Sequence, residues 1–322
     1  MQSRFRIKTL LLMLAFLPLA GCLLRTPHPA QLRMSTADLK VATLDQLVQA
    51  INDNAARLQT VKATVDIDVS LMRKEKDKDK EKDVARELPQ SHGYIRVRKP
   101  EMLRMIALVP VVRTTFLDMI SDGPSFRASY PSKNWFLVGS YPVTKPSPDL
   151  IWNLRPQPIL DALLIRAINS ETEKAVLQQG MEIVKDPKTH KDVQQPDYEI
   201  LVIATDSLGD YLSRKIIFSR TDLVPHEQVI YDREGREVTR ARYENVIDRD
   251  GIKFPNLIAI QRPVEQYSVN LAILDLKLNG TLPNDQFDLA QPPGSKLINV
   301  DQGEPGTQSR TSMRGNSNNK PH

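Results

Sequence analysis

The sequence predicts a mainly β protein with a few helices (α+β), built on a strongly curved antiparallel sheet whose concave side is covered by helices. Three observations predict it. About a dozen segments alternate apolar and polar residues with the two-residue period of a half-buried strand. They follow one another at hairpin spacing, separated by residues that tolerate a positive φ: Ser121-Asp122-Gly123-Pro124, Leu208-Gly209-Asp210, Glu234-Gly235 and Arg249-Asp250-Gly251. Only one stretch between strands has a helical character, so parallel crossovers cannot be the main connection.

In chain order, Arg4, Arg6 and Lys8 precede an apolar run, Leu10 to Leu19, that is short for a bilayer crossing. Leu19-Ala20-Gly21-Cys22 closes it and contains the only cysteine. Basic, apolar, small and then Cys resembles a bacterial lipoprotein signal over 1–21, with Cys22 as the acylated first residue of the mature chain. An ordinary signal peptide with an incidental cysteine is the alternative. Leu23, rather than an aspartate, follows the cysteine, which points to the outer membrane, on its periplasmic face. Residues 22–42 carry Pro27 and Pro29 without a period, as a lipidated tether would.

The domain proper is expected over 43–300. Thr43 and Gln46 form a capping-box pattern, and Leu44, Leu47, Val48, Ile51, Ala55 and Leu58 follow at helical spacing. From Val61 the period becomes two: Ala63, Val65, Ile67, Val69 and Leu71 alternate with polar residues. Arg73 to Glu87 holds seven basic and six acidic residues, so 73–90 reads as a charged, solvated hairpin insertion. Strands are predicted at 94–98, 102–109, 114–121, 125–130 and 134–138. A proline-studded stretch, Pro142 to Pro158, leads to an apolar helix from Ile159 to Ile168, with a second short helix from Glu171 to Gln179. Seven strands follow, near 181–185, 197–205, 211–219, 226–232, 237–247, 254–261 and 266–279. In the last, the apolar phase moves from Tyr267, Val269, Leu271 and Ile273 to Leu274, Leu276 and Leu278, which predicts a β-bulge near Ile273 or Leu274. Residues 301–322 have the composition of a disordered tail.

Composition excludes several classes. The net charge of +5 comprises 44 basic and 39 acidic residues, and three of the basic ones lie in the signal, so the mature chain is nearly neutral. That gives no field for nucleic acid. With one cysteine there is no internal disulfide. The five histidines, His28, His92, His190, His226 and His322, show no metal-ligand spacing, and no nucleophile elbow, Walker loop or dinucleotide fingerprint occurs. Asp66 and Asp68 share the polar face of their strand and read as solvated. No catalytic residue, metal ligand or cofactor is predicted, although residues distant in sequence can still converge into a hydrolase site.

Two apolar features need an explanation. Val65, Ile67, Val69, Ile95, Val97, Leu103 and Phe116 form inward strand faces, with Trp135 and Trp152 as core or rim residues. They either line a cavity or make a solid core. Leu108-Val109-Pro110-Val111-Val112 sits where a hairpin tip is expected, and turns rarely take such residues. The tip either meets a membrane or partner, or folds back on the domain.

Residues 97 to 138 resemble the LolA/LolB lipoprotein carriers. Val97-Arg98-Lys99-Pro100-Glu101-Met102-Leu103 is similar to that family's basic-Pro-x-x-Leu strand start, and Met119-Ile120-Ser121-Asp122-Gly123 followed by Tyr130-Pro131 is similar to its Ser-Asp-Gly and Tyr-x-Pro signature. The closing Phe287-Asp288-Leu289 and Pro292-Pro293-Gly294 fit as well. The resemblance implies an incomplete β-barrel with a helical lid around an apolar cavity that holds lipid or lipoprotein acyl chains. Val65, Ile67, Val69, Ile95, Val97, Leu103, Phe116, Trp135 and Trp152 would line that cavity, and Arg98 and Lys99 would secure the lid. Leu108, Pro110, Val111 and Val112 resemble the protruding membrane-contact loop of the LolB branch. A periplasmic carrier protein is an implied partner, and a non-catalytic interaction or sensor module with a filled core is the alternative on the same fold.

Overall fold

The computed structural model describes residues 32–77, 80–141, 150–186 and 188–302, with the side chains of 73–85 and Leu150 left out. The expected signal, Cys22 and the tether up to residue 31, residues 142–149 of the proline-studded stretch and nearly all of the tail therefore lie outside the described residues. The chain divides into two compact units, one of 1–36 with 182–195 and one of 37–181 with 196–322. In the smaller, strand β1 (Arg33–Met34) pairs in parallel with Val193 and Gln194, and Lys185 lies 2.6 Å from Asp192.

The larger unit begins with helix α1 (Leu44–Arg57), whose start is held by the capping box: the Gln46 amide donates to the Thr43 hydroxyl, and the Thr43 amide to the Gln46 side chain. Its apolar stripe buries Leu47, Ile51 and Ala55. The strands that follow are β2 (Thr60–Asp77), β3 (Lys80–Glu87), β4 (Ser91–Arg98), β5 (Met102–Leu108), β6 (Thr115–Ser121), β7 (Ser125–Tyr130) and β8 (Trp135–Ser140). Helix α2 (Gln157–Leu163) precedes β9 (Glu173–Lys185), β10 (Asp192–Asp206), β11 (Gly209–Ser219), β12 (Pro225–Tyr231), β13 (Glu237–Arg249), β14 (Ile252–Arg262), β15 (Tyr267–Leu278) and β16 (Lys296–Asn299). The boundary between the units divides β9 and β10.

The sheet order in the larger unit is β10-β11-β12-β13-β14-β15-β2-β4-β5-β6-β7-β8-β16. Most neighbours are hairpin partners, as the spacing predicted. The first half of β2 pairs with β4, and its outer half with β3, from Ser70 opposite Glu87 to Asp77 opposite Lys80, so the charged tract is a hairpin extension of the sheet. The terminal strands β10 and β16 are not paired with each other, and the sheet stays open rather than closing into a barrel.

Three expectations need correction. The sheet is mixed rather than wholly antiparallel: the long return after β15, through the 3-10 turn Asn284–Phe287, lays β16 parallel to β8. The predicted helix over 171–179 is instead the start of β9, which pairs with β10; Glu173-Lys174-Ala175-Val176-Leu177-Gln178 has good helix formers, but sheet pairing overrides propensity. The helix expected to reach Ile168 stops at Leu163. The predicted bulge is present: the β15–β2 register shifts between Ile273 and Asp275, leaving Leu274 unpaired and 57% exposed.

Candidate functional site

An apolar hollow of about 170 Å³ lies under α1. Its walls come from the underside and end of α1 (Ala50, Ile51, Ala55, Leu58), the end of α2 and the chain after it (Ala162 to Ile165), the β11–β12 turn (Leu223, Val224, Pro225), and β13 and β14 (Tyr243, Val246, Phe254, Pro255). Lys99 is part of the lining. A second, more polar hollow of about 340 Å³ adjoins it; both are lined by Asp222, Val224, Pro225, Tyr243, Val246 and Lys253, and the second adds Lys40, His226 and Asn245.

Polar struts hold these walls in place. Asn54, near the end of α1, donates to the Lys253 carbonyl at 3.2 Å and accepts from the Lys253 amide at 2.7 Å, pinning the helix to β14. Asn52 does the same to Ile168, donating to its carbonyl at 3.2 Å and accepting from its amide at 2.8 Å. Arg214, 1% exposed, donates to the Arg166 and Ala167 carbonyls at 2.7 and 2.9 Å and to Glu173 at 2.9 Å, fixing the segment after α2. Gln228 donates to the Asp161 carbonyl at 3.2 Å and tethers α2 itself. These contacts anchor α1, α2 and the segment after α2.

Two polar groups stand out in the lining. The Lys99 ammonium donates to the Ala55 carbonyl on α1, and burial pushes its pKa down. Tyr243 is buried, and its hydroxyl is inaccessible and has no hydrogen-bond partner among the described residues; burial raises its pKa, so the phenol stays protonated.

Apart from Lys99, the residues singled out from the sequence that the structure describes lie outside this lining. Val65, Ile67, Ile95, Val97, Leu103 and Trp152 are buried in one packed cluster, with Val69, Phe116 and Trp135 packed against it, and none of the nine lines the hollow under α1. Trp135 and Trp152 meet edge to face at 6.0 Å, and Phe116 and Tyr130 at 6.1 Å. Arg98 turns to the C-terminal return, donating to the Leu282 carbonyl at 2.7 Å and Asn284 at 2.8 Å with its guanidinium 5.0 Å from the Phe287 ring centre. Lys99, its neighbour, turns to α1.

Leu108 ends β5, and Pro110, Val111 and Val112 form the β5–β6 tip. Val111 is 97% exposed and Val112 65% exposed. Val111 also has φ 69°, a left-handed conformation that a β-branched residue rarely adopts. The tip is closed by the Arg113 amide donating to the Val109 carbonyl at 3.0 Å and the Val109 amide donating to the Thr114 carbonyl at 2.8 Å.

Sequence reasoning missed Asn52, Asn54 and Tyr243. The two asparagines carried a signal, since Asn is a poor residue for a helix interior unless its side chain has work to do elsewhere. It also missed that Asp66, read as solvated, pairs with His92 directly opposite on β4, at 3.0 Å.

No family model and no curated protein matches the chain. Among solved structures it matches a domain from Vibrio parahaemolyticus described as an outer membrane lipoprotein-sorting protein, at 12% identity over 75% of this chain and 95% of that one, with a TM-score of 0.45. It also matches a LolA superfamily protein from Nitrosomonas europaea, at 16% identity over 75% and 97% with a TM-score of 0.43. The chain is similar to LolA-type structures. A DUF1329 family protein from Desulfovibrio piger is similar too, at 14% identity over 75% and 94%, with a TM-score of 0.44. These likenesses are distant, all below a TM-score of 0.5. Among the described residues no helix is long and apolar enough to cross a membrane.

Proposed function

We propose that this protein is a lipid-anchored carrier of the bacterial envelope that takes up acyl chains, free or as the lipid part of a lipoprotein, and hands them on without chemistry. Acylated Cys22 would hold it at the outer membrane, facing the periplasm. The observation that carries the reading is the apolar hollow between α1 and the sheet. The nearly bare Val111 at the tip supports it, because an apolar side chain held in solvent, on a backbone conformation it disfavours, suits contact with a lipid surface.

The energetic case for a carrier is simple. A triacylated cysteine bears roughly fifty methylenes at ~0.8 kcal/mol each, far too much to release through water. A protein wall that stays dry while the chain moves removes that barrier. The hollow as it stands is comparable to an engineered cavity of ~150 Å³ that binds benzene, so it admits part of one chain. Loading of more requires α1 or the segment after α2 to move.

The experiment is uptake of a fluorescent fatty acid, and of a lipoprotein, by the full chain. Saturable uptake that Val111→Glu slows at a membrane but leaves unchanged in solution is the expected result; no saturable uptake of either contradicts the proposal. The alternative, an interaction module with a filled interior, is favoured by one observation: all nine inward residues named from the sequence belong to or pack on a solid core. A complex with an envelope partner that survives when acyl binding is abolished would select it.

A further inference from the structure

We infer that Lys277, Lys62 and Arg96 form a binding site for phosphate on the face of the sheet turned away from the packed cluster; this goes beyond the carrier reading and does not depend on it. The register places the three in one row. Lys277 on β15 is directly opposite Lys62 on β2, and Lys62 is directly opposite Arg96 on β4. Arg104 on β5 continues the row opposite Arg96. Val61, Ala63, Ile95 and Val97, which flank Lys62 and Arg96 along their strands, belong to the packed cluster, so the cations share the outward face. Side chains directly opposite on paired strands start about 5 Å apart, and like charges so placed destabilise a sheet. A row of them without carboxylates is a cost that a bound anion offsets.

The cations of this face divide by what they meet. Arg104 is neutralised by Asp118, donating to its two oxygens at 3.0 and 2.7 Å, and it also donates to the Gln286 carbonyl at 3.2 Å. Arg98 and Arg127 are likewise occupied by the C-terminal return, at the Leu282 and Leu289 carbonyls. Lys62, Lys277 and Arg96 form no hydrogen bond or ion pair among the described residues. Arg96 is half-buried with its Nε enclosed, whereas Lys62 and Lys277 are exposed. Asp275, the nearest carboxylate in register, stands opposite Thr64 in the adjoining row and pairs with none of the three. Phosphate fits this arrangement better than a carboxylate. A guanidinium held by its surroundings offers a fork to two oxygens, and the ammonium groups beside it act as point charges. A phosphate monoester brings close to two negative charges and three acceptor oxygens, enough to meet all three cations.

The ligand chemistry has two sources, a lipid head group or free phosphate, and the test separates them. The full chain is compared with Lys62→Gln combined with Lys277→Gln, two exposed changes that leave the core intact. Thermal unfolding is followed in sodium phosphate and in sodium chloride at equal ionic strength. Flotation is measured with phosphatidylcholine vesicles and with vesicles that also contain phosphatidylglycerol, the neutral ones cancelling what the apolar N-terminus contributes. A phosphate-specific rise in Tm that the double variant loses assigns the site to free phosphate. A preference for the anionic vesicles that falls about thirtyfold in the double variant, without that rise in Tm, assigns it to the head group. Uptake of a fluorescent fatty acid in solution should be unchanged in the variant, which keeps this test separate from that of the carrier. Equal behaviour of the two proteins in both arms overturns the site, and loss of an acidic protein partner alone would reassign the row to a protein contact.

Discussion

The two halves of the larger unit treat the same raw material differently. Around β2, β4, β5 and β6, inward side chains interlock: Val65, Ile95, Val97 and Leu103 have no exposed surface. Under α1, against β13 and β14, apolar residues of similar size leave a hollow of about 170 Å³. Composition does not separate them. Their anchoring does. In the first half the inward strand faces share one packed cluster with Trp152, Ile159 and Leu160, which cover them. In the second, a helix and two irregular segments are hung from Asn52, Asn54, Arg214 and Gln228, and those struts set the separation of the walls before the side chains can close it.

That contrast can be broken, and the largest effect should come from the clamps. Arg214→Met leaves Glu173 and two carbonyls without their cation, and should cost about 3–5 kcal/mol in denaturant unfolding, with loss of acyl binding. Leu103→Ala in the packed half should cost about 2–5 kcal/mol yet leave binding by the surviving folded protein unchanged. Adding volume distinguishes the halves more sharply. Ala128→Leu, among fully packed neighbours, should cost about 1–3 kcal/mol, whereas Ala55→Leu projects into the hollow, should shift stability by less than ~1 kcal/mol, and should block the ligand. The tip should respond in the opposite direction: Val111→Asn relieves the left-handed strain, and thermal unfolding should show a gain of about 1 kcal/mol while vesicle association falls.

Much of this architecture was legible in the residues. The capping box at Thr43, the alternation from Val61 and the phase jump at Leu274 are local signals, and each marks its element to within a residue or two. The strand at Glu173 was not legible, because its helix-forming composition is overruled by pairing with the next strand, β10. The hollow was hidden for the same reason on a larger scale. Its lining joins residues near 50, 99, 163, 224, 243 and 254, and no periodicity within one segment states that these will meet. The strand alternation that drew attention to Val65 and Leu103 reports only that a face is buried; whether what lies against it is protein or space is decided by long-range struts.

The most direct measurement is to load the protein with a fatty acid carrying a photoreactive group at its chain end, irradiate, and map the adducts by peptide mass. The account predicts saturable labelling on 50–58, 162–165 and 243–255, competed by unlabelled palmitate. Labelling concentrated on 61–71 and 103–107 would place the chain in the half described here as solid, and would contradict it.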